Sequence, residues 1–473
     1  MALLSLRKQL VSNLSAAFIA QAMSLAASLL ISLFVPKILG VFEFGFWQLF
    51  LFYCSYVGFA LFGLNDGIYL IYGGKERSDI NRELLTAEYL LGMLPSVCVS
   101  LIGVIFGCAF FAETQRCYVI VAVSFYLILS SIIGLFGYLL QALNEVKTYA
   151  KSVIADKALF LVFLVVLFLF GCSTFEPYVI CYLISKMLAA VYCVWLCRAL
   201  LKKPSLSLVV VVRETIGTMR VGINLMLANM ASLFIIGISR FFVDTIWGIE
   251  TFSQYSFAIS LVNFFILFIS QISMVAFPVL RKLDKVAIKR SFEFLGEGLS
   301  LGAPIVYVAF FPVAILLGLW LPDYSQAITL FAILLPICVF EGKMDLNGAT
   351  FLKVLRKERL LLIVNVVTAF VSLFGSFVFG YYLKDLTCLC FVLVLSIAGR
   401  SIFTDLYLSN LLGVNSGKMI ILDIVVTIIF EVVCIQMDYI AALVVMLTVL
   451  GIVFFINKNT IATIIRYMHK ARK

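Results

Sequence analysis

Five basic residues of this chain stand where a charge is expensive. Lys157, Lys186, Arg240, Lys343 and Arg400 each lie inside a long apolar run, and all but Lys343 are candidate site residues. A charge at bilayer depth costs ~2.5–3.5 kcal/mol on insertion scales, so each needs an acidic partner or a water-filled cavity. Lys186 and Arg400 lie deepest in their runs and are candidates to hold an anionic group, with Arg400 offering a bidentate fork. An ion pair with Asp405 is the structural alternative for Arg400. Lys157 follows Asp156 near the inner end of its run and has room to snorkel. Arg240 lies near the outer end of its run and can snorkel or pair with Asp244 one turn later. Four carboxylates, Asp66, Glu341, Asp423 and Glu431, are candidates for proton coupling, because burial favours the neutral form of a carboxyl group. Asp66 and Glu341 are expected near the inner interface, where simple solvation competes with that role.

The elements that must position these groups are membrane helices. Of 473 residues, 64% are hydrophobic and only 13% charged. A water-soluble surface cannot be built from so few charges, which excludes a secreted enzyme, a nucleic-acid-binding module and a peripheral membrane protein. The only histidine, His469, lies at the extreme C-terminus, so no intramembrane Ser-His-Asp triad or histidine zinc site is available. The 12 cysteines form no C-x-x-C pair and sit mostly in apolar runs, where they read as packing residues. No Walker motif is present. No cofactor is expected.

One bilayer crossing takes ~20 apolar residues. Fourteen candidate spans fit, at roughly 10–35, 46–70, 87–111, 118–140, 153–171, 178–200, 221–242, 254–278, 299–321, 326–345, 360–382, 387–409, 419–436 and 439–457. The stretch from Arg281 to Glu297 is polar enough for a short surface helix. With both termini cytoplasmic, only Lys37, Arg116 and Lys384 of the 35 Lys and Arg residues fall in outer loops, as the positive-inside rule requires. The first span is read as a retained helix, not a signal peptide. Pro95, Pro304, Pro312 and Pro336 fall inside spans and can kink them. Trp47, Trp195, Trp247 and Trp320 read as interfacial belt residues.

The order suggests residues 1–200 as one six-span lobe, 201–220 as a connector with an interfacial helix, 221–410 as a second lobe and 411–473 as two further spans with a basic tail. A faint repeat relates the lobes. Gly40-Val41-Phe42-Glu43-Phe44-Gly45-Phe46-Trp47 leaves the first span, and Gly248-Ile249-Glu250-Thr251-Phe252-Ser253-Gln254-Tyr255 leaves the seventh. Parallel repeats of this kind suit a transporter.

Further stretches in order along the chain carry a resemblance: Pro36-Lys37-Ile38-Leu39-Gly40 with Phe44 to Trp47, Gly63-Leu64-Asn65-Asp66-Gly67, Gln141 to Lys147, Leu317 to Tyr324 with Ala327, and Phe351-Leu352-Lys353 through Glu358-Arg359 with Asn365. Together they resemble the polysaccharide-transport family of the multidrug/oligosaccharidyl-lipid/polysaccharide (MOP) superfamily, in particular the Wzx-type O-antigen flippases. Ser239 stands where that family often has an acid before the span-seven arginine. The resemblance implies an all-α fold of about 14 transmembrane helices, two six-helix lobes in a MATE-like V plus two C-terminal helices. It implies a bacterial inner-membrane flippase, not an enzyme, that moves an undecaprenyl-pyrophosphate-linked oligosaccharide to the periplasmic leaflet for O-antigen and lipopolysaccharide synthesis. Its partners would be that lipid-linked sugar, membrane lipids and the polysaccharide polymerase machinery. Lys186 and Arg400 would then face the pyrophosphate from corresponding helices of the two lobes, assisted by Arg240 and Lys157. The alternatives are another polyprenyl-linked cargo (a peptidoglycan precursor, a capsule or teichoic acid unit), a MATE-like small-molecule exporter, or a membrane-embedded polymerase or glycosyltransferase, which the short outer loops disfavour.

Overall fold

The structure, a computed structural model, describes residues 2–111, 114–281 and 283–462. His469 lies outside these residues. Every regular element described is helical, as expected where backbone polar groups find no water and must pair within their own segment. The chain forms two compact units, Met1–Met230 and Ala231–Lys473.

The first unit holds α1 (Ala2–Cys54), α2 (Leu64–Tyr72), α3 (Arg82–Phe110), α4 (Gln115–Ala142), α5 (Val146–Leu169), α6 (Glu176–Cys197) and the start of α7 (Leu208–Leu280). The second holds the rest of α7, then α8 (Lys285–Trp320), α9 (Ser325–Leu334), α10 (Pro336–Lys343), α11 (Thr350–Val354), α12 (Glu358–Ser376), α13 (Leu386–Leu412), α14 (Gly417–Gln436) and α15 (Tyr439–Ile456). π-helical turns occupy Met344–Ala349 and Phe377–Tyr382.

Eleven helices are long and apolar enough to cross a membrane, and a twelfth span arises if the pair bent by 42° at Leu335 counts as one. Two helices, α1 with 53 residues and α7 with 73, are long enough for two crossings. At 1.5 Å per residue the 53 residues of α1 would reach about 80 Å, against ~30 Å of hydrocarbon. Both long helices are interrupted at a glycine, Gly40 (φ 69°, ψ 176°) in α1 and Gly248 (φ 81°, ψ −176°) in α7. That region of backbone space is essentially reserved for glycine. Each long helix is thus two helical segments joined at a glycine, which the count of 11 to 12 by length and composition takes as one. The two glycines are those that open the sequence repeat. The aromatic positions that follow correspond as well: Phe44 and Phe252, then Trp47 and Tyr255, are all fully buried.

Several boundaries differ from the sequence reading. The second span is not continuous: α1 ends at Cys54, a 3-10 turn spans Val57–Leu61, and α2 starts after Gly63. The expected surface helix at Arg281–Glu297 is the first part of α8, which runs unbroken into span nine. The expected interfacial helix is likewise the beginning of α7. Of the tryptophans, Trp47 is fully buried and belongs to no interfacial belt.

The units divide inside α7, not in the 201–220 connector, because the first turns of α7 lie directly on α2. A Cβ on Gly67 would meet the Thr218 carbonyl oxygen at 2.1 Å, and one on Gly222 would meet the Gly63 carbonyl oxygen at 2.0 Å. Glu88 of α3 locks the contact, accepting hydrogen bonds from Thr218 Oγ1 at 2.7 Å and Tyr72 Oη at 3.5 Å. Polar ties at the helix ends agree with alternating spans. Arg77 and Glu145, from two loops assigned to the inner side, form an ion pair. Glu43, assigned to the outer side, accepts from Gln115 Nε2 and from the Phe175 amide.

Gly222→Ala is expected to destabilise the purified protein by about 1–3 kcal/mol through overpacking, seen as a lowered thermal unfolding midpoint in detergent. Gly302→Ala, where a Cβ meets nothing within 4 Å, should leave the midpoint unchanged or slightly raised.

Candidate functional site

The charged side chains assemble separately in each unit. In the first, α5 contributes Asp156 and Lys157 and α6 contributes Lys186. Lys186 Nζ donates to Asp156 Oδ2 at 2.6 Å, and Ser185 Oγ donates to the other carboxylate oxygen at 3.4 Å. The Lys186 ammonium also lies 5.1 Å from the centre of the Tyr182 ring, a favourable cation–π placement. Aromatic packing fixes that ring. Tyr182 meets Phe160 edge-on at 5.0 Å, Trp47 at 5.8 Å and Phe50 at 5.7 Å, and Trp47 stacks on Phe160. Lys186 is therefore matched by an acid that the sequence reading associated only with Lys157.

Lys157 is the group left over. It is half-buried, within electrostatic range of both Lys186 and Asp156, and forms no hydrogen bond or ion pair with any described residue. It lies midway along α5, which begins at Val146. Two ammonium groups thus share one carboxylate at mid-helix depth.

The second unit is built around the segment from α10 through its π turn. Nearly every residue from Phe331 to Leu352 is buried; the partly accessible ones are Glu341, Asp345 and Ala349, one turn apart on one face. Glu341 forms an ion pair with Arg400 of α13, which also donates to Asn365 Oδ1 of α12 at 3.0 Å and Ser232 Oγ of α7 at 3.4 Å. Asp345 accepts from Ser270 Oγ of α7 at 2.6 Å. A second face carries Lys343 and Asn347. Lys343 Nζ lies 2.6 Å from Asp423 Oδ2 of α14 and 3.3 Å from Asp405 Oδ2 of α13. The partner of Arg400 is consequently Glu341, not Asp405.

The remaining expected residues are placed as follows. Arg240 stacks over the Phe252 ring at 5.3 Å, across the Gly248 break. Asp66 is buried in the first turn of α2, where the helix dipole favours a negative charge. Glu431 is buried on α14, and neither of its carboxyl oxygens meets a hydrogen-bond partner among the described residues. The sequence reading assigns no organising role to Lys343 or Glu88, names Asp156 only beside Lys157, and names Asp405 only as a partner for Arg400. A usable signal existed for Lys343, because Glu341, Lys343, Asp345 and Asn347 place polar groups on two faces of one otherwise apolar span.

The sequence matches no protein-family model and no curated protein. Its fold does match solved structures. An inward-facing MATE-family multidrug transporter of the MOP superfamily shares 11% identity at a TM-score of 0.64, over 85% of this chain and 98% of that one. The lipid II flippase MurJ shares 10% identity at a TM-score of 0.63, over 95% of this chain and 100% of that one. A MOP superfamily transporter from Pyrococcus furiosus, described as having a binding pocket of reverse polarity, shares 14% at 0.50, over 86% and 95%. The chain therefore has the MOP transporter fold.

Truncating Arg400 leaves the Glu341 carboxylate in a low-dielectric site. Arg400→Ala is expected to cost about 3–5 kcal/mol, and the double variant Arg400→Leu with Glu341→Leu should recover most of it. Thermal unfolding of the single and double variants in detergent measures the difference.

Proposed function

We propose that this protein is a flippase that carries an undecaprenyl-pyrophosphate-linked oligosaccharide, an O-antigen or similar surface-polysaccharide repeat unit, from the cytoplasmic to the periplasmic leaflet of a bacterial inner membrane by alternating access. The observation that carries this reading is the charge count of the first unit, where Lys157 and Lys186 share the single carboxylate of Asp156. A surplus cation at mid-helix depth is costly unless something anionic visits it. A pyrophosphate head group is such a visitor, and Lys157 would engage it first, with Lys186 held in place by Asp156 and Tyr182. Arg400 then acts mainly as an internal tie among helices, and Arg240 as a brace beside the Gly248 break.

Two further facts support the reading. The MurJ match extends over 95% of the chain, against 85% for the inward-facing MATE transporter, and the added tenth is about the size of α14 and α15 together. The distribution of Lys and Arg fits an inner-membrane protein with cytoplasmic termini. Membrane lipids and a polysaccharide polymerase are the partners that fit this task. A small-molecule exporter is the second reading, favoured by the acidic, partly accessible stripe of Glu341 and Asp345 in the second unit, although Arg400 neutralises Glu341.

The test is a leaflet assay in proteoliposomes, with labelled polyprenyl-pyrophosphate oligosaccharide followed by an impermeant sugar-modifying reagent. Wild type should give protein-dependent exchange, and Lys157→Gln should lower it about tenfold or more, as loss of a charge-assisted contact predicts. Unchanged exchange in folded Lys157→Gln would sink the cationic-site model, and export of cationic drugs without lipid exchange would favour the exporter.

A further inference from the structure

The cluster around Lys343 has a charge count that its hydrogen bonds do not balance. Lys343, Asp405 and Asp423 are 4%, 6% and 2% exposed, respectively. The lysine donates hydrogen bonds to Asp423 Oδ2 at 2.6 Å and to Ser300 Oγ at 3.2 Å, and forms an ion pair with Asp405 Oδ2 at 3.3 Å. Ser300 in turn donates to Asp423 Oδ2 at 3.0 Å, and Asn347 Nδ2 donates to Asp405 Oδ1 at 3.4 Å. Two acceptors in this buried set, Asp423 Oδ1 and Asn347 Oδ1, receive no hydrogen bond from any described residue. One ammonium thus faces two carboxylates, and the donor deficit falls on one of those carboxylates.

No neighbouring group repairs the count. Tyr307 of α8 is engaged with Thr427 Oγ1 of α14 at 2.7 Å. Glu431, two turns along α14 from Asp423, is itself acidic, as is Asp345, and the nearby Glu341–Arg400 pair is neutral as a unit. The described cations on the packed helices are engaged elsewhere or exposed: Lys289 of α8 donates to the Gly413 carbonyl oxygen at 2.6 Å, Lys418 of α14 donates to Asn457 Oδ1 at 2.9 Å, and Lys285, Arg290 and Lys353 are exposed.

We propose that Lys343, Asp405 and Asp423 form a proton-binding site of the second unit, in which one exchangeable proton shared by the two carboxylates completes the neutrality that the single ammonium leaves unfinished. Binding moves one proton from water onto a carboxylate oxygen, with Asp423 Oδ1 the open position, and release returns it; no other bond changes. The site joins four segments: Ser300 from α8, Lys343 from α10, Asp405 from α13 and Asp423 from α14. Gain or loss of the proton changes how strongly Lys343 is held between α13 and α14. The first residue after Lys343 begins the π turn, a departure from α geometry that is frequent at functional sites. This inference holds whichever cargo the protein carries.

Charge counting gives the test its numbers. The full chain is reconstituted in lipid in a Glu431→Gln background, to remove the other unpartnered carboxyl, and the protonated-carboxyl infrared band is recorded across a pH titration. The parent should hold one titrating proton at the cluster. Asp423→Asn and Asp405→Asn, each nearly isosteric, should each hold none, because one ammonium then meets one carboxylate. Lys343→Met should hold two. Equal carboxyl signals in the parent and in both Asn variants would overturn the proposal. So would a signal in the parent that sodium or potassium abolishes at constant pH, since the ligand would then be a metal cation. If one Asn variant fails to fold, the other decides the question on the same comparison with the parent.

Discussion

Moving an ion from water into hydrocarbon costs more than most side-chain contacts return, so in a chain of this composition the placement of charge governs which helices must meet. Each mid-helix cation for which a partner is described chooses a carboxylate on a different helix: Lys186 joins α6 to α5, Arg400 joins α13 to α10, and Lys343 joins α10 to α13 and α14. Removing one member leaves the other stranded, whereas replacing both by apolar residues is often tolerated. The pairs therefore specify neighbours more than they add stability. Apolar side chains, equally at home against lipid or protein, give little such direction.

Close approach of backbones is the second constraint. Gly63 and Gly67 on α2 meet Gly222 and Thr218 on α7 with no space for a side chain, and dispersion between bare backbones takes over from the hydrophobic effect, which is absent between helices in lipid. This contact gathers the first turns of α7 into the first unit. It also gives a physical reason for the Gly63 to Gly67 stretch that the sequence showed only as a resemblance.

Much of the fold was legible in the sequence because apolar length is a strong signal. The many apolar helices and the repeat opening at Gly40 and Gly248 rest on properties visible residue by residue. Pairing was much less so. Nothing local distinguishes Asp405 from Glu341 as the partner of Arg400; the choice depends on which helix turns which face inward. Glu88 lies near other charges at the edge of a span, where sequence reads it as solvated, and the same setting ties Asp156 to its neighbour Lys157 and hides its pairing with Lys186. The interruption of span two at Ser55–Gly63 was hidden because its residues stay apolar throughout.

The π turn at Met344–Ala349 makes chain length itself a determinant. The Thr350 amide and hydroxyl both bond to the Asp345 carbonyl, five residues back, where an α-helix would close after four. The segment thus carries one surplus residue, and that surplus sets the phase of everything before it against everything after. Deleting a single residue there would let the helix close in the ordinary way and would turn its two ends by about 100° relative to one another. Phe351 and Leu352, both fully buried, would rotate out of their packing, or Glu341 and Lys343 would rotate away from their partners. A deletion that alters no charged residue would then be as damaging as the loss of one.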